Sequence, residues 1–302
     1  MSRENLAHNA SLLYPPVAFT MSLAASRFPF RLAPLALFAV LAAVTPTAGA
    51  EDPPPRWCAP EVETLSEGVC YVPAPPTAPA SGSEGGSPEA GSEATPGDSG
   101  PQAARPRCLV IFLHSLIQDK TTWQWQQHRM LARAARTLGF SVVMPRGRLG
   151  IGPGRAPNVW AWPTSPKMQT EHEQDIVEEL AEARRAVEHR EGKFDKVFVF
   201  GFSNGAYYAA SLAFRGRLDV QGYGVFAGGS GSKYHRILGH RTKVHPPVFV
   251  GYGTKDPAHG DQEALVRLLS ELNWPYRSRS ARVGHMVTDS QLAAAVRFLR
   301  GS

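Results

Sequence analysis

From residue 107 onward, short apolar runs alternate with longer stretches in which apolar residues recur at helical spacing. Continuous apolar runs of this length are typical of strands buried on both faces of a sheet. The predicted strands are CLVIFLH, SVVMPRG, DKVFVFGFSNG, VQGYGVFAGG, PPVFVGYG and YRSRSARVG. The predicted helices are TTWQWQQHRMLARAARTLGF, residues 171–191, GAYYAASLAF, DQEALVRLLSEL and SQLAAAVRFLR. This alternation predicts an α/β fold: a mainly parallel sheet with helices on both faces, and ligands at the carboxyl ends of its strands.

One such carboxyl end carries the pattern G-x-S-x-G, formed by Gly201, Phe202, Ser203, Asn204 and Gly205. The pattern lies between a predicted buried strand and a predicted helix, which is the context of a nucleophile elbow. There a sharp turn presents the serine hydroxyl beyond the strand, and the N-terminus of the helix favours developing negative charge. The alternative is a strand–turn–helix without chemistry. We predict that Ser203 is a nucleophile.

A serine nucleophile needs a base, and the base needs an acid to orient it. In chains with this elbow the order is serine, then Asp or Glu, then His. Asp256 in GTKDP and His285 in VGHM each follow a predicted strand and satisfy that order. The rivals are Asp261, which is predicted to cap the next helix, and His259, which precedes the last strand. The alternative roles for Asp256 and His285 are turn formation and a surface histidine.

Acyl transfer also needs two backbone N–H donors for the oxyanion of its tetrahedral intermediate. The Asn204 amide, directly after the nucleophile, is the first predicted donor. The second is expected from the loop after the first main strand, with the Leu116 amide favoured and the Ser115 amide as the alternative. His114 in the same loop is a candidate substrate-binding residue, unless its ring only braces the loop.

The motifs FLHS, GFSNG, GTKDP and VGHM occur in this order, and on them residues 107–300 resemble the α/β-hydrolase superfamily. Within it the chain is similar to secreted esterases that include polyhydroxybutyrate depolymerase-like and feruloyl-esterase-like enzymes. The resemblance implies an α/β-hydrolase fold and hydrolysis of carboxylic esters through a Ser-His-Asp triad and an acyl-enzyme, without a cofactor. Such enzymes usually have His-Gly at the oxyanion loop. Ser115 replaces that glycine, and we expect its side chain to narrow the pocket or shift the donor.

Three segments bear on the substrate. In the long loop before residue 171, Trp160 and Trp162 either form an aromatic wall over the substrate or anchor the loop. Only about 15 residues separate AGGS from PPVFVGYG, so no large helical lid is expected there. His235, His240 and His245 follow AGGS at a spacing that fits no common metal site, so a solvated basic rim is expected and no metal.

The N-terminal third is predicted to divide into three parts before a catalytic domain at residues 107–302. Residues 1–50 read as a signal peptide, with the apolar run LAPLALFAVLAAV and an Ala48-Gly49-Ala50 cleavage site; a start at Met21 would give a more usual length. An uncleaved anchor is the alternative. Residues 51–73 hold Cys58 and Cys70, which are expected to form a disulfide in a segment that docks as an extra strand or flap. Residues 74–106 are rich in Pro, Gly and Ser and are predicted to be a disordered linker.

Composition narrows the partners. The formal net charge of +6 is too diffuse to indicate nucleic-acid binding, and no nucleic-acid motif is present. We therefore expect a secreted or periplasmic serine esterase acting on a small-molecule or polymeric ester, without nucleic acid and without stable membrane insertion after signal cleavage. Two alternatives stay open: an amide or peptide hydrolase with the same triad, and a non-catalytic binding protein on a hydrolase scaffold. The natural ester and the oligomeric state do not follow from the sequence.

Overall fold

The computed structural model describes residues 55–76 and 106–301. The predicted signal peptide lies outside these residues, as does the predicted linker apart from its ends. The strands in chain order are β1 (Glu63–Ser66), β2 (Val69–Val72), β3 (Cys108–Leu113), β4 (Ile117–Gln118), β5 (Ser141–Pro145), β6 (Arg148–Leu149), β7 (Val159–Ala161), β8 (Lys196–Phe202), β9 (Gly222–Phe226), β10 (Val248–Gly253) and β11 (Tyr276–Ala281). The helices are α1 (Gln124–Leu138), α2 (Pro166–Glu191), α3 (Asn204–Arg215), α4 (Lys233–Arg241), α5 (His259–Glu271) and α6 (Asp289–Arg300).

Eight of the described strands form one sheet in the order β1-β2-β5-β3-β8-β9-β10-β11. Every pair from β5 to β11 in this order is parallel, whereas β1 and β2 run antiparallel at one edge. The predicted mainly parallel sheet is therefore confirmed. Its register brings Leu113 of β3 beside Gly201 of β8, so the loops that follow these strands meet at one edge of the sheet.

Helices cover both faces, which explains why the central strands are apolar at every position. In β3, Leu109, Ile111 and Leu113 belong to a core cluster with α2, α3 and α5. The intervening residues Val110 and Phe112 belong to a second cluster with α1 and α6. Because successive side chains point to opposite faces of a sheet, a strand between two helical layers carries no polar alternation.

The N-terminal segment, which the structure describes from residue 55 to residue 76, docks on the main sheet. β1 and β2 form a hairpin, and β2 pairs antiparallel with β5. Cys58 and Cys70 form a disulfide within this segment, and both side chains are buried against the α1 side of the core. The extra strand or flap is thus a two-stranded extension of the main sheet.

The predicted long loop contains more structure than its Gly- and Pro-rich sequence indicates. β4, β7 and β6 form a small antiparallel sheet there. α2 begins at Pro166 rather than near residue 171, because Ser165 caps it through a bond from the Met168 amide and proline suits the first helical position. The connection from β9 to β10 holds only the short helix α4, so no large lid is present in the described residues. None of the helices in the two described ranges is long and apolar enough to cross a membrane.

Candidate active site

Ser203 occupies the tight turn between β8 and α3. Its backbone has φ 55° and ψ −119°, a conformation that costs a residue with a side chain about 1–3 kcal/mol. Glycines on both sides let strand and helix approach closely enough to hold that turn. A Cβ at Gly201 would lie 2.2 Å from the Gly205 carbonyl oxygen, and one at Gly205 would lie 2.1 Å from the Leu113 carbonyl oxygen. The elbow pattern therefore has a steric reason for each glycine.

The turn brings the Ser203 hydroxyl to His285. Ser203 Oγ lies 2.8 Å from His285 Nε2, and His285 Nδ1 lies 3.0 Å from each carboxylate oxygen of Asp256. An ionised carboxylate only accepts hydrogen bonds, so it favours the tautomer in which Nδ1 carries the proton. Nε2 is then free to accept the Ser203 proton. The three residues predicted as a triad thus form one hydrogen-bonded series, in which His285 links Ser203 to Asp256.

Asp256 is fully buried and is held by two further donors. Its Oδ1 accepts a hydrogen bond of 2.8 Å from the Ala258 amide, and its Oδ2 accepts one of 3.2 Å from Gln262 Nε2. The sequence reading missed Gln262. It was detectable, because Gln262 lies three and seven residues before Leu265 and Leu269 and so interrupts the apolar stripe of α5 with a polar side chain.

The rival acid and base make other contacts. α5 begins at His259, so Asp261 lies in its first turn and the predicted capping role of Asp261 is wrong. Its carboxylate instead accepts a hydrogen bond of 2.5 Å from the Tyr207 hydroxyl. His259 Nε2 lies 3.2 Å from a carboxylate oxygen of Glu263.

The loop after β3 lies against the elbow. The Gly205 amide donates a hydrogen bond of 3.1 Å to the His114 carbonyl oxygen. The Ser115 amide donates to Gln127 Oε1 at 3.1 Å, whereas the Asn204 and Leu116 amides have no hydrogen-bond partner in the part of the chain that the structure describes. The arrangement therefore leaves Asn204 and Leu116, rather than Ser115, as the donors that an oxyanion would find unoccupied.

Two solved structures with a similar fold are esterase PE8 and SOBER1. The esterase PE8 matches at 19% identity with a TM-score of 0.50, over 65% of this chain and 93% of that chain. SOBER1 from Arabidopsis thaliana matches at 15% identity with a TM-score of 0.50, over 65% of this chain and 98% of that chain. The fold is that of the α/β-hydrolases. No family model and no curated protein matches the chain. At these identities the likeness extends to the fold, and the chemistry has to be argued from the site of this hydrolase fold itself.

The His114 side chain is buried and braces the loop after β3. Its Nε2 accepts a hydrogen bond of 2.8 Å from the Gly147 amide, and Nδ1 lies 2.5 Å from the Ser115 carbonyl oxygen. Since Nε2 accepts, Nδ1 carries the proton and donates a hydrogen bond to the Ser115 carbonyl oxygen. Burial lowers the pKa of His114 to about 4, so the ring is neutral near pH 7. The predicted substrate-binding role is corrected, and the bracing alternative fits.

The two tryptophans anchor their loop. Trp162 is only 1% exposed; its Nε1 donates to the His114 carbonyl at 3.0 Å, and its amide donates to Asn204 Oδ1 at 2.8 Å. Trp160 Nε1 donates to Asp119, and a guanidinium, that of Arg146, lies 4.1 Å from a ring centroid of Trp160. Trp160 lines a cavity of about 540 Å³ whose wall includes none of the three triad residues. These contacts fit the anchoring alternative, and the aromatic wall over a substrate stays a prediction.

Of the three histidines that were expected to form a solvated basic rim, only His240 is exposed. His235 is buried, donates from Nδ1 to the Ser230 carbonyl at 2.8 Å, and has a pKa lowered by burial. His245 stacks on Trp274 with ring centroids 4.1 Å apart, which leaves His240 exposed. Within the described ranges, no group of three or more His, Cys, Asp or Glu side chains is arranged to hold a metal ion.

Proposed function

We propose that the protein is a serine esterase that hydrolyses carboxylic esters through an acyl-enzyme. The observation that carries the proposal is the continuous hydrogen-bond path from Ser203 Oγ through His285 to the buried Asp256 carboxylate, with distances of 2.8 and 3.0 Å. The path begins at the strained elbow, against which the loop after β3 lies, and the Asn204 and Leu116 amides have no hydrogen-bond partner among the described residues. A non-catalytic scaffold has no need of that combination, because each part stabilises charge that develops only during acyl transfer.

Acylation begins when Ser203 Oγ attacks the ester carbonyl carbon and its proton passes to His285 Nε2. The carbonyl oxygen becomes an oxyanion that accepts hydrogen bonds from the Asn204 and Leu116 amides. The Asp256 carboxylate accepts a hydrogen bond from the Nδ1–H of His285 and stabilises the imidazolium, while the proton stays on Nδ1. When the tetrahedral intermediate collapses, the bond from carbon to the alcohol oxygen breaks, and His285 gives its proton to the departing alcohol.

Deacylation repeats these steps with water as the nucleophile. His285 Nε2 takes a proton from water, whose oxygen attacks the acyl carbon, and the same two amides receive the second oxyanion. Collapse breaks the bond between the acyl carbon and Ser203 Oγ, returns the proton to the serine and releases a carboxylic acid. The cycle needs no cofactor.

The access to Ser203 supports a substrate that approaches from solvent. The His285 side chain is 43% exposed. Leu116 in the oxyanion loop and Met286 directly after His285 are 40% and 49% exposed. Apolar side chains left in water beside a nucleophile favour contact with the apolar part of an ester, whether the ester is a small molecule or a polymer.

Export from the cytoplasm is part of the proposal. The Cys58–Cys70 disulfide supports it, because disulfides form and persist mainly in oxidising compartments. We propose a secreted or periplasmic protein in which residues 1–50 are a cleavable signal peptide and residues 74–106 are a linker. N-terminal sequencing of the exported protein tests the cleavage, with a first residue near Glu51 expected.

The catalytic proposal is tested by hydrolysis of p-nitrophenyl esters of increasing acyl length, with wild type and Ser203→Ala side by side. We expect wild-type turnover, and a loss of at least about 10⁴-fold in kcat in the variant. Equal activity of the two proteins would contradict the proposal. p-Nitroanilides with the same acyl groups separate the alternatives, since faster turnover of the anilide would favour an amide hydrolase.

A further inference from the structure

Gln127 on α1 makes two hydrogen bonds to Ser115 of the oxyanion loop. Gln127 Nε2 donates a hydrogen bond of 2.7 Å to Ser115 Oγ, and Gln127 Oε1 accepts one of 3.1 Å from the Ser115 amide. Gln127 is 9% exposed, so water competes little for these bonds. Two bonds from one rigid amide to one residue fix both the position and the orientation of that residue.

These bonds bear on the neighbouring Leu116 amide through peptide geometry. The Ser115 carbonyl and the Leu116 N–H belong to one planar peptide group and point in opposite directions. His114 Nδ1 donates to that carbonyl at 2.5 Å, so His114 sets one end of the peptide plane. Gln127 holds Ser115, the residue about whose backbone the peptide plane between Ser115 and Leu116 rotates. Together they set the direction of the Leu116 N–H, which has no partner of its own in the described part of the chain.

Ser115 acquires a role in this arrangement that a glycine would not have. Its hydroxyl accepts from Gln127 and lies 3.4 Å from the Leu116 carbonyl oxygen, so it is engaged with α1 and with its own loop. The side chain therefore adds an anchor to the loop instead of shifting the donor. Ser115 and Gln127 of α1 therefore act together to anchor the loop.

We propose that Gln127 is a positioning residue that, through Ser115, aims the Leu116 N–H at the oxyanion of the acyl-transfer reaction. The inference rests on the proposed esterase function. The position of α1 does not itself depend on Gln127. Gln124 Nε2 donates to the Trp57 carbonyl at 2.9 Å, and His128 Nδ1 accepts from the Ala59 amide at 3.3 Å, so the same turn is fixed to the N-terminal segment. Loss of the Gln127 amide should thus loosen the loop and leave the helix in place.

The test compares Gln127→Met with Gln169→Met in the full chain, using a short p-nitrophenyl ester. Gln169 is a matched control: it is 7% exposed and donates two hydrogen bonds, to the Pro163 carbonyl and to Ser211 Oγ. We expect kcat to fall about 10- to 100-fold in Gln127→Met, with KM changed less than about threefold, because an oxyanion donor acts in the transition state. Gln169→Met should lower Tm and keep kcat within about twofold of wild type.

Affinity for a boronic acid, which forms a tetrahedral adduct with an active-site serine, separates positioning from structure. In Gln127→Met this affinity should fall by the same factor as kcat/KM. The proposal is overturned if kcat in Gln127→Met stays within twofold of wild type, or if kcat falls while boronate affinity does not. If Ser203→Ala retains wild-type activity, the esterase proposal fails instead, which is a distinct result.

A second variant keeps the proposal testable if Gln127→Met does not fold. Ser115→Gly removes the hydroxyl anchor and keeps the amide bond to Gln127. We expect a smaller loss of kcat, about 3- to 10-fold. In a foldable double variant the two losses should not multiply, because both act on one loop. Unchanged kcat and boronate affinity in Ser115→Gly would contradict the proposal that Gln127 acts through Ser115.

Discussion

Two groups of loops flank Ser203, and they are held in different ways. On the acid–base side, Asp256 is fixed by an amide two residues away and by Gln262 six residues away. On the oxyanion side, the loop at His114 and Ser115 is fixed by partners 12, 33 and 48 residues away, on α1, after β5 and after β7. The Asp256 carboxylate is therefore held by contacts that are local in sequence, apart from its contact with His285. The oxyanion side depends on tertiary packing, so perturbations of distant segments should reach it first.

The largest effect should come from removing the base. His285→Ala should lower kcat by at least about 10⁴-fold, because Ser203 then has no group to accept its proton. His259→Ala is the matched control, since the His259 side chain pairs with Glu263, and its one hydrogen bond to the triad, from the backbone amide to the Asp256 carbonyl oxygen, is kept in alanine; it should keep kcat within about twofold of wild type. Steady-state kinetics on one ester decide the matter. A loss in His259→Ala with an active His285→Ala would reverse the assignment.

The next effect concerns the segment that supports the oxyanion side. Reduction of the Cys58–Cys70 disulfide, whose cysteines are 12 residues apart, should lower the free energy of unfolding by about 3 kcal/mol. The Trp57 ring, next to Cys58, lies 5.1 Å from His114, so kcat should also fall on reduction. Urea unfolding with and without dithiothreitol measures the first change. In Cys58→Ala/Cys70→Ala dithiothreitol should have no effect, and an effect there would place the redox sensitivity elsewhere.

Acidification should also weaken the oxyanion side. Burial lowers the pKa of His114 to about 4 and that of His128 to about 3, below the value of about 6.5 in an unfolded chain. As the pH falls, the unfolded chain therefore binds protons before the folded chain does. The contribution of the two neutral histidines to the free energy of unfolding is complete above pH 6.5 and is lost as the pH falls toward 4. Each histidine should cost about 2–3 kcal/mol of unfolding free energy between pH 7.5 and 4.5.

Urea unfolding at pH 7.5 and at pH 4.5 measures that loss. His128→Gln keeps an acceptor near the Ala59 amide but cannot titrate, so its loss of unfolding free energy between the two pH values should be smaller than that of wild type. Carboxylates titrate alike in both proteins and cancel in the comparison. Equal losses in the two proteins would contradict the assigned role of His128.

The smallest effect is expected on the acid–base side. Gln262→Leu removes one of the two donors to Asp256 besides His285 and should lower kcat about tenfold, since a charge-assisted hydrogen bond contributes about 1.5–3 kcal/mol. Gln174→Leu, at an exposed glutamine of α2, is the control and should leave kcat within about twofold. A change in Tm without a change in kcat for Gln262→Leu would show that Gln262 supports the fold and not the acid.

The same difference explains what could be predicted from the sequence. Strand ends and chain order place Ser203, Asp256 and His285, because an elbow with glycines on both sides has one geometry and parallel strands end at one edge. Gln127 could not be found in this way: it is one of several polar residues in α1, and its contact with Ser115 exists only after the helix packs. His114 and Trp162 were assigned to substrate for the same reason, since a sequence places them near the site but does not show which way they face.

The boundaries of helices and strands could also be predicted only in part from the sequence. α2 begins about five residues earlier than its apolar periodicity predicts, because Ser165 and Pro166 start the helix before its buried stripe begins. The small sheet of β4, β6 and β7 escaped prediction because strands of two or three residues carry no measurable alternation.

The most direct test of the account is the site at which a fluorophosphonate reacts. Intact-mass spectrometry of the labelled protein, followed by peptide mapping, should show one adduct per chain, located on Ser203, and none in Ser203→Ala. His285→Ala should label much more slowly, because the serine is then not activated. An adduct on another residue, or no adduct in a folded wild-type protein, would contradict the claim that Ser203 is the nucleophile of an esterase.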